Sequence, residues 1–333
     1  MSDATDAEFP RESDERGRWV RQESPFRNRV TADGSSGFPA AAGRYHLYVS
    51  WACPWAHRTI LFRRFEGLEE AIGMTVVDPI RDEKGWRFRE GEDHGKDEVE
   101  GFNFLAEAYA ATDPAFDGRV TVPVLWDTDR KTIVNNESAE IIRMLNVEFD
   151  EWANPEAPDF YPEELREEID AVNDRVYRHV NDGVYQTGFA TTQAAYDEAF
   201  DALFEALDWL DARLEGARWL VGNRQTEADW RLFTTLIRFD TVYHTHFKCN
   251  LRRIVDYPSL WPYLRDLYQQ PGVAATVNFD HIKRHYYGTH RTLNPKGIVP
   301  KGPALDLDAA HDRASLGPAG AVAGSSALGA FGR

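Results

Sequence analysis

Apolar positions change their rhythm near residue 150. Before it, four short β-prone runs, Tyr45–Val49, Ile72–Val77, Val120–Trp126 and Lys131–Asn135, alternate with helical patterns. Those patterns are Ile60–Phe65 (stopped by Gly67), Phe102–Ala110 (ended by Asp113-Pro114) and Glu137–Leu145. Beyond a linker of Pro, Asn and acid at 150–162, apolar residues recur every three or four positions through Glu163–Val180 and Tyr196–Leu214. Thr226 and Asp229 have capping-box spacing and open a helix through Ile237, Phe239 and Val242 to about Phe247. Tyr257-Pro258 starts another that runs to Tyr268, and from Gly288 the chain reads as extended. The pattern predicts an extended arm at 1–43, an α/β domain at 44–149, the linker, and an all-helical domain at 163–302. In the arm, Trp19 and Phe26 would anchor an extended segment across a folded surface, with Met1 to Arg16 mobile. A Gly/Ala/Ser-rich tail at 303–333 is expected to be disordered.

The candidate chemistry begins at Ser50-Trp51-Ala52-Cys53-Pro54-Trp55-Ala56-His57-Arg58, where a strand hands over to a helix. Pro54 falls at the first helical position, where its missing N–H costs nothing. Free N–H groups and the positive end of the helix dipole then point at Cys53. Such a setting can bring a thiol from about 8.5 down to roughly 3.5–7.5, so Cys53 is expected to be a reactive thiolate rather than a packed small hydrophobe. Pro123 removes a ladder donor from its strand, which is therefore an edge, a bulge or the site of a cis bond. The order β-α-β, then β-β-α, with a cysteine at the first helix and a proline facing it, is a thioredoxin-like layout. Trp86 and Phe88 sit in a polar loop, either as anchors beneath it or as one wall of a pocket.

The net charge of −17 argues against nucleic acid or an anionic membrane as partner. Lysine occurs only at Lys84, Lys96, Lys131, Lys248, Lys283, Lys296 and Lys301, and arginine supplies the other cations. An acid-rich, lysine-poor chain fits a high-salt, halophilic setting, where screening removes self-repulsion. Two cysteines make no secreted disulfide framework, and the N-terminus carries no apolar signal region, so the expected location is the cytoplasm. No apolar run approaches the ~20 residues that span a bilayer. His244, His246, His281, His285 and His290 fall on different elements without ligand spacing, so no metal is expected.

A thioredoxin-like domain followed by an all-helical one is the layout of soluble glutathione transferases. Five strings narrow this: Ser50–Arg58, Asp182-Gly183-Val184-Tyr185-Gln186-Thr187-Gly188-Phe189-Ala190, Arg238-Phe239-Asp240 with Val242-Tyr243, His246-Phe247-Lys248-Cys249-Asn250, and Ile282–His290. Together, in this order, they closely resemble the Xi-class enzymes, the glutathionyl-hydroquinone reductases, over about residues 17–302.

The resemblance implies that the Cys53 thiolate attacks the sulfur of a glutathionyl-hydroquinone, freeing the hydroquinone and leaving a mixed disulfide. A second thiol from solution resolves it, because Pro54-Trp55-Ala56 supplies no resolving cysteine. It also implies that Trp86 lies over the bound tripeptide and that Val122, before a cis Pro123, pairs with the tripeptide backbone. Glu137 and Ser138 would hold the γ-glutamyl end. Tyr185, Tyr243 and one of Tyr286 and Tyr287 would serve the phenolic oxygens. No tightly bound cofactor is implied. The co-substrate would be glutathione or, in a salt-loving cell, γ-glutamylcysteine, and the assembly a homodimer. Two rivals share the outline: an omega-like thioltransferase or dehydroascorbate reductase, and a transferase-like module that binds without catalysing.

Overall fold

The computed structural model describes residues 12–82 and 84–317. Strands β1 (Tyr45–Val49), β2 (Ile72–Val76), β3 (Val124–Asp127) and β4 (Thr132–Asn135) form one sheet in the order β2-β1-β3-β4. β1 pairs parallel with β2 (Leu47 opposite Met74) and antiparallel with β3 (Leu47 opposite Leu125), and β3 pairs antiparallel with β4. β1 is wholly buried, the expected state of a strand covered on both faces. Helices α1 (Pro54–Phe65) and α3 (Ser138–Val147) pack on each other, and α2 (Leu105–Thr112) packs against β4.

α1 starts where Pro54 fixes the first helical φ and ends at Gly67, whose φ of +66° is the left-handed value that glycine tolerates best. Leu68 N–H reaches the Arg63 carbonyl at 2.8 Å and Gly67 N–H that of Arg64 at 3.1 Å, which satisfies the last carbonyls of the helix. Pro123 corrects one option for its strand. β3 lies inside the sheet, so the proline is not on an edge; it directly precedes Val124, after a cis Val122–Pro123 bond.

The helical half contains α4 (Arg166–Val176), a π-helical turn (Tyr177–Asn181), α5 (Gly183–Gly188) and α6 (Gln193–Arg213). α7 (Glu227–Arg238), opened by the Thr226–Asp229 capping box, leads into a second π-helical turn (Phe239–Tyr243) and the short α8 (His244–His246). α9 (Leu260–Tyr268) and α10 (Phe279–Thr289) complete it. α10 has no counterpart among the helices read from sequence, and Gly288, where an extended chain was expected, is helical. Much of its covered face is His281, His285 and Thr289, which hides the apolar period; Asn278, accepting from His281 N–H at 2.9 Å, caps it.

The two halves share a core. Phe65 on α1 meets Trp230 on α7 with centroids 4.6 Å apart, and Phe160 of the linker packs at a tilt on Phe62 and Phe65. The arm crosses this seam. Trp19 packs on Phe189 and Phe26 on Tyr109, while Asn28 N–H bonds to Val134 O beside the β4 edge. Two expectations about the termini are corrected. Glu12 is buried and paired with Arg119, so the mobile stretch expected to Arg16 does not extend that far; residues 1–11 lie outside the described residues. Residues 303–317 are packed rather than disordered. Arg313 is buried and donates to Leu214 O and Arg218 O, and Leu307 is covered. The rest of the expected tail lies outside the described residues.

Candidate active site

Cys53 is the N-cap of α1, in extended conformation (φ −79°, ψ 124°), with its side chain half-buried and not capping the helix. The loop before it is held from the other domain. Arg238 is fully buried, and its guanidinium donates to Ala52 O and Trp51 O at 2.8 Å, to Thr234 O at 2.7 Å and to His57 Nδ1 at 3.1 Å. Since His57 Nδ1 accepts, its Nε2 carries the proton and donates to Thr276 Oγ1 at 2.8 Å.

The expected low thiol pKa is corrected. Burial pushes the Cys53 thiol up, and the opposing pull of the Ala56 N–H, the Arg238 charge, the Trp55 N–H and Arg21 does not offset it. The resting group is a thiol, and Sγ donates to Val122 O at 3.5 Å. A helix N-terminus favours the thiolate, but loss of water around the sulfur costs more here.

Two cavities lie beside this stretch and share Arg21, Trp55, Arg119, Thr121 and Val122. One of about 560 Å³ is lined by Val122, Pro123, Glu137 and Ser138, with arm residues 21–25 as a further wall. Glu137 is the N-cap of α3 and accepts from Ala139 N–H at 3.1 Å and from Ser24 Oγ at 3.1 Å. Ser138, in the first turn, is buried and accepts from Arg58 at 3.3 Å. A carboxylate, a hydroxyl and a helix N-terminus at one end of a cavity can hold an ammonium and a carboxylate together.

The second cavity is about 60 Å³ and is lined by Cys53 itself, Trp86, Tyr185, Phe189, His285 and Tyr286 among others. Trp86 therefore belongs to the cysteine side and is absent from the larger cavity's lining; it stacks on His285 at 4.9 Å and 19°. Tyr185 on α5 and Tyr286 on α10 place their hydroxyls 2.6 Å apart, and Tyr243, closing the second π-turn, reaches the same Tyr286 hydroxyl at 3.0 Å. Burial raises all three, Tyr243 and Tyr286 far above the ordinary phenol, so each stays protonated. Each hydroxyl can both give and accept a hydrogen bond, so the three can pass a proton among themselves. Tyr287 departs from this set: its hydroxyl donates to Thr241 O at 3.2 Å, and it lines neither cavity. Of the Tyr286/Tyr287 pair, Tyr286 is the inward one.

Several residues here were not singled out from sequence. Arg21, Arg81 and Arg119 line the small cavity, with Arg21 paired to Asp182 and Arg119 to Glu12. Arg21 lies 4.8 Å above both Trp55 and Tyr185 and pairs with Asp182 at 2.5 Å. An arginine between aromatics in the arm was the available signal, masked by the acidic total. The histidines also draw closer than their spacing suggested. His246 Nε2 is 3.2 Å from His290 Nδ1, and the His285 and His290 rings are 5.7 Å apart. Burial keeps them neutral, with His246 down to about 4 and His285 to about 3. Among the described residues they form no group suited to a metal ion.

Residues 52–148 match the sequence model of the glutathione S-transferase N-terminal domain, and residues 193–266 that of its C-terminal domain. The chain belongs to the glutathione transferase family. It is 53% identical to the glutathionyl-hydroquinone reductase PcpF of Sphingobium chlorophenolicum, over 87% of this chain and 91% of that protein. To the glutathionyl-hydroquinone reductase YqjG of Escherichia coli K12 it is 52% identical, over 89% and 92%. Within the family its place is with the Xi class, the glutathionyl-hydroquinone reductases. The solved structure of the Xi-class enzyme from Natrialba magadii superposes with a TM-score of 0.86 at 53% identity, covering 87% of this chain and 89% of that one. The glutathione-bound structure of YqjG gives 0.84 at 52%, covering 87% and 96%.

Proposed function

We propose that this protein is a thiol-dependent reductase that removes glutathione from glutathionyl-hydroquinones. The observation that carries the reading is the position of Cys53, with an amine-and-carboxylate cradle in one adjoining cavity and a proton-donating tyrosine chain in the other. Cys53, as thiolate, attacks the thioether sulfur. The Cys53–sulfur bond forms, the aryl carbon–sulfur bond breaks, and its electron pair stays on the ring carbon. That carbon takes a proton supplied through Tyr185, Tyr286 and Tyr243, and hydroquinone leaves. A second glutathione then attacks the mixed disulfide, giving glutathione disulfide and Cys53, whose leaving sulfur takes the incoming thiol's proton; the two glutathione sulfurs lose the electrons that the ring gains. Val122 and Pro123 would pair with the tripeptide backbone, Glu137 and Ser138 would hold its γ-glutamyl end, and Trp86 would wall the space above the sulfur.

γ-Glutamylcysteine would meet the same Glu137, Ser138 and Val122 groups, and the acid-rich, lysine-poor surface supports a salt-adapted cell in which it is used. A homodimer in the cytoplasm completes the reading. No helix among the described residues is long and apolar enough to cross a membrane. The test is to mix a glutathionyl-hydroquinone with free glutathione and follow hydroquinone release by wild type and by Cys53→Ala. Release should fall by at least about a thousandfold in the variant, as for loss of a covalent nucleophile. Equal release by both would overturn the reading.

A further inference from the structure

His285 has no part in the chemistry above, yet it forms the wall beside the reacting sulfur. It directly precedes Tyr286 on α10, so the two side chains leave the helix about 100° apart and reach the same cavity from different directions. Its ring is pinned twice. One face stacks on Trp86, and Nδ1 lies 2.7 Å from the carbonyl oxygen of Pro79. A carbonyl can only accept, so Nδ1 carries the hydrogen, and in the neutral ring Nε2 is left with its lone pair. Burial, with the Arg81 charge next, keeps the ring neutral. Among the described residues Nε2 has no hydrogen-bond partner, because the ring's bond is the one to Pro79.

The neighbouring polar side chains on this wall are chiefly donors. Arg21, Arg81 and Arg119 carry N–H groups alone, the Thr121 hydroxyl is engaged with Tyr109, His290 shares its Nδ1 with His246, and no carboxylate of the described residues lines the cavity. The Val122 carbonyl already accepts from Cys53. A hydroquinone brings two hydroxyl groups, each able to accept and to donate. The tyrosine chain serves an oxygen that accepts; it leaves unanswered the hydroxyl that has a proton to give.

Resting on the reductase reading, we propose that His285 Nε2 accepts a hydrogen bond from a phenolic hydroxyl of the bound aryl group, and so selects free hydroquinones over their ethers. An O-methyl ether keeps the oxygen that can accept from tyrosine and loses the proton that His285 requires. The part of the discrimination that disappears when the histidine is replaced reports on the histidine.

The experiment compares a glutathionyl-hydroquinone with its two mono-O-methyl ethers, using wild type, His285→Phe and His285→Leu. Both variants remove the acceptor; Phe keeps a ring for Trp86 and Leu is the smaller alternative should Phe not fold. Wild type is expected to disfavour one ether by about ten- to a hundredfold in kcat/KM, the penalty for leaving a buried acceptor unpaired. In a folded variant the hydroquinone loses that advantage, and the two substrates come within about threefold of each other. A cooperative thermal transition and an unchanged far-ultraviolet circular dichroism spectrum show that the variant is folded. A variant that keeps the wild-type preference, or a wild type that uses both ethers as well as the hydroquinone, overturns the proposal. Failure of wild type to release hydroquinone from any conjugate overturns the reductase reading instead.

Discussion

The two cavities beside the Cys53 stretch are built by different means. The larger, about 560 Å³, is founded on local backbone devices, the N-cap of α3 at Glu137, the Val122–Pro123 peptide before β3 and the first turn of α1 at Trp55, with arm residues 21–25 and Tyr177 closing it. The smaller, about 60 Å³, is made from side chains delivered by distant segments: Arg21 from the arm, Tyr185 from α5, and His285 and Tyr286 from α10. A space of that size holds a few waters, less than a substituted ring. The thiol half is thus the roomier of the two, and the aryl half is narrowed by its own side chains. Arg21 lines both cavities between Trp55 and Tyr185, so the arm gives both halves a common wall. Backbone devices fix charge and direction for a constant ligand, and side chains adapt to a varying one.

The comparison breaks most sharply at Tyr286, where the other two hydroxyls meet. Tyr286→Phe removes the middle of the proton chain and takes from the fully buried Tyr243 hydroxyl its contact at 3.0 Å. Hydroquinone release should fall by about a hundredfold in kcat, the usual worth of a positioned proton donor. Exchange between glutathione and a small disulfide should change by less than about twofold, because it uses the other half. Equal loss in both assays would show that the halves are not separable.

A smaller and graded effect concerns the sulfur that the halves share. Burial places the Cys53 pKa above the ordinary thiol value, so the thiolate is the minor form through neutral pH. Alkylation by iodoacetamide, which consumes thiolate, should therefore rise by about tenfold per unit between about pH 6 and 8, without a plateau. The sign follows from the direction of the shift: raising the pKa moves the plateau to higher pH. A plateau below about pH 7 would mean that the helix N-terminus outweighs burial after all. Cys53 would then be a standing thiolate, as its position alone suggested.

The thiol half was legible in the sequence because each of its parts is a local signal. Cys53-Pro54 after an apolar run, Pro123 within another, and Glu137-Ser138 at a helix start each announce themselves within a few residues. The aryl half was legible only through resemblance to a family. Tyr185, Tyr243 and Tyr286 look like ordinary core aromatics until folding joins their hydroxyls, and two π-turns, which leave no mark in a 3.6-residue pattern, position the first two. α10 escaped because histidines and a threonine fill much of its buried face. The thiol pKa was misjudged for a related reason: the helix end is visible in sequence, but the solvent excluded by Arg21, Trp86 and Tyr185 is not.

The smallest expected effect is the most exacting control, since it separates adjacent residues on one helix. Tyr286 and Tyr287 are both tyrosines of α10 and both covered, yet they face opposite tasks. Tyr287 gives its hydrogen to Thr241 O at 3.2 Å and packs on His246 with centroids 4.7 Å apart, away from both cavities. Tyr287→Phe deletes one neutral hydrogen bond and leaves the ring in place. It should cost about 1 kcal/mol of stability, read as a drop of roughly 2–4 °C in Tm. Hydroquinone release should stay within about twofold of wild type. If Tyr287→Phe instead lost as much activity as Tyr286→Phe, α10 would have to turn by about 100° during turnover. The aryl half would then be defined by a helix orientation other than the one that joins Tyr185, Tyr286 and Tyr243, and the contrast between a fixed thiol half and an adaptable aryl half would have to be redrawn around that rotation.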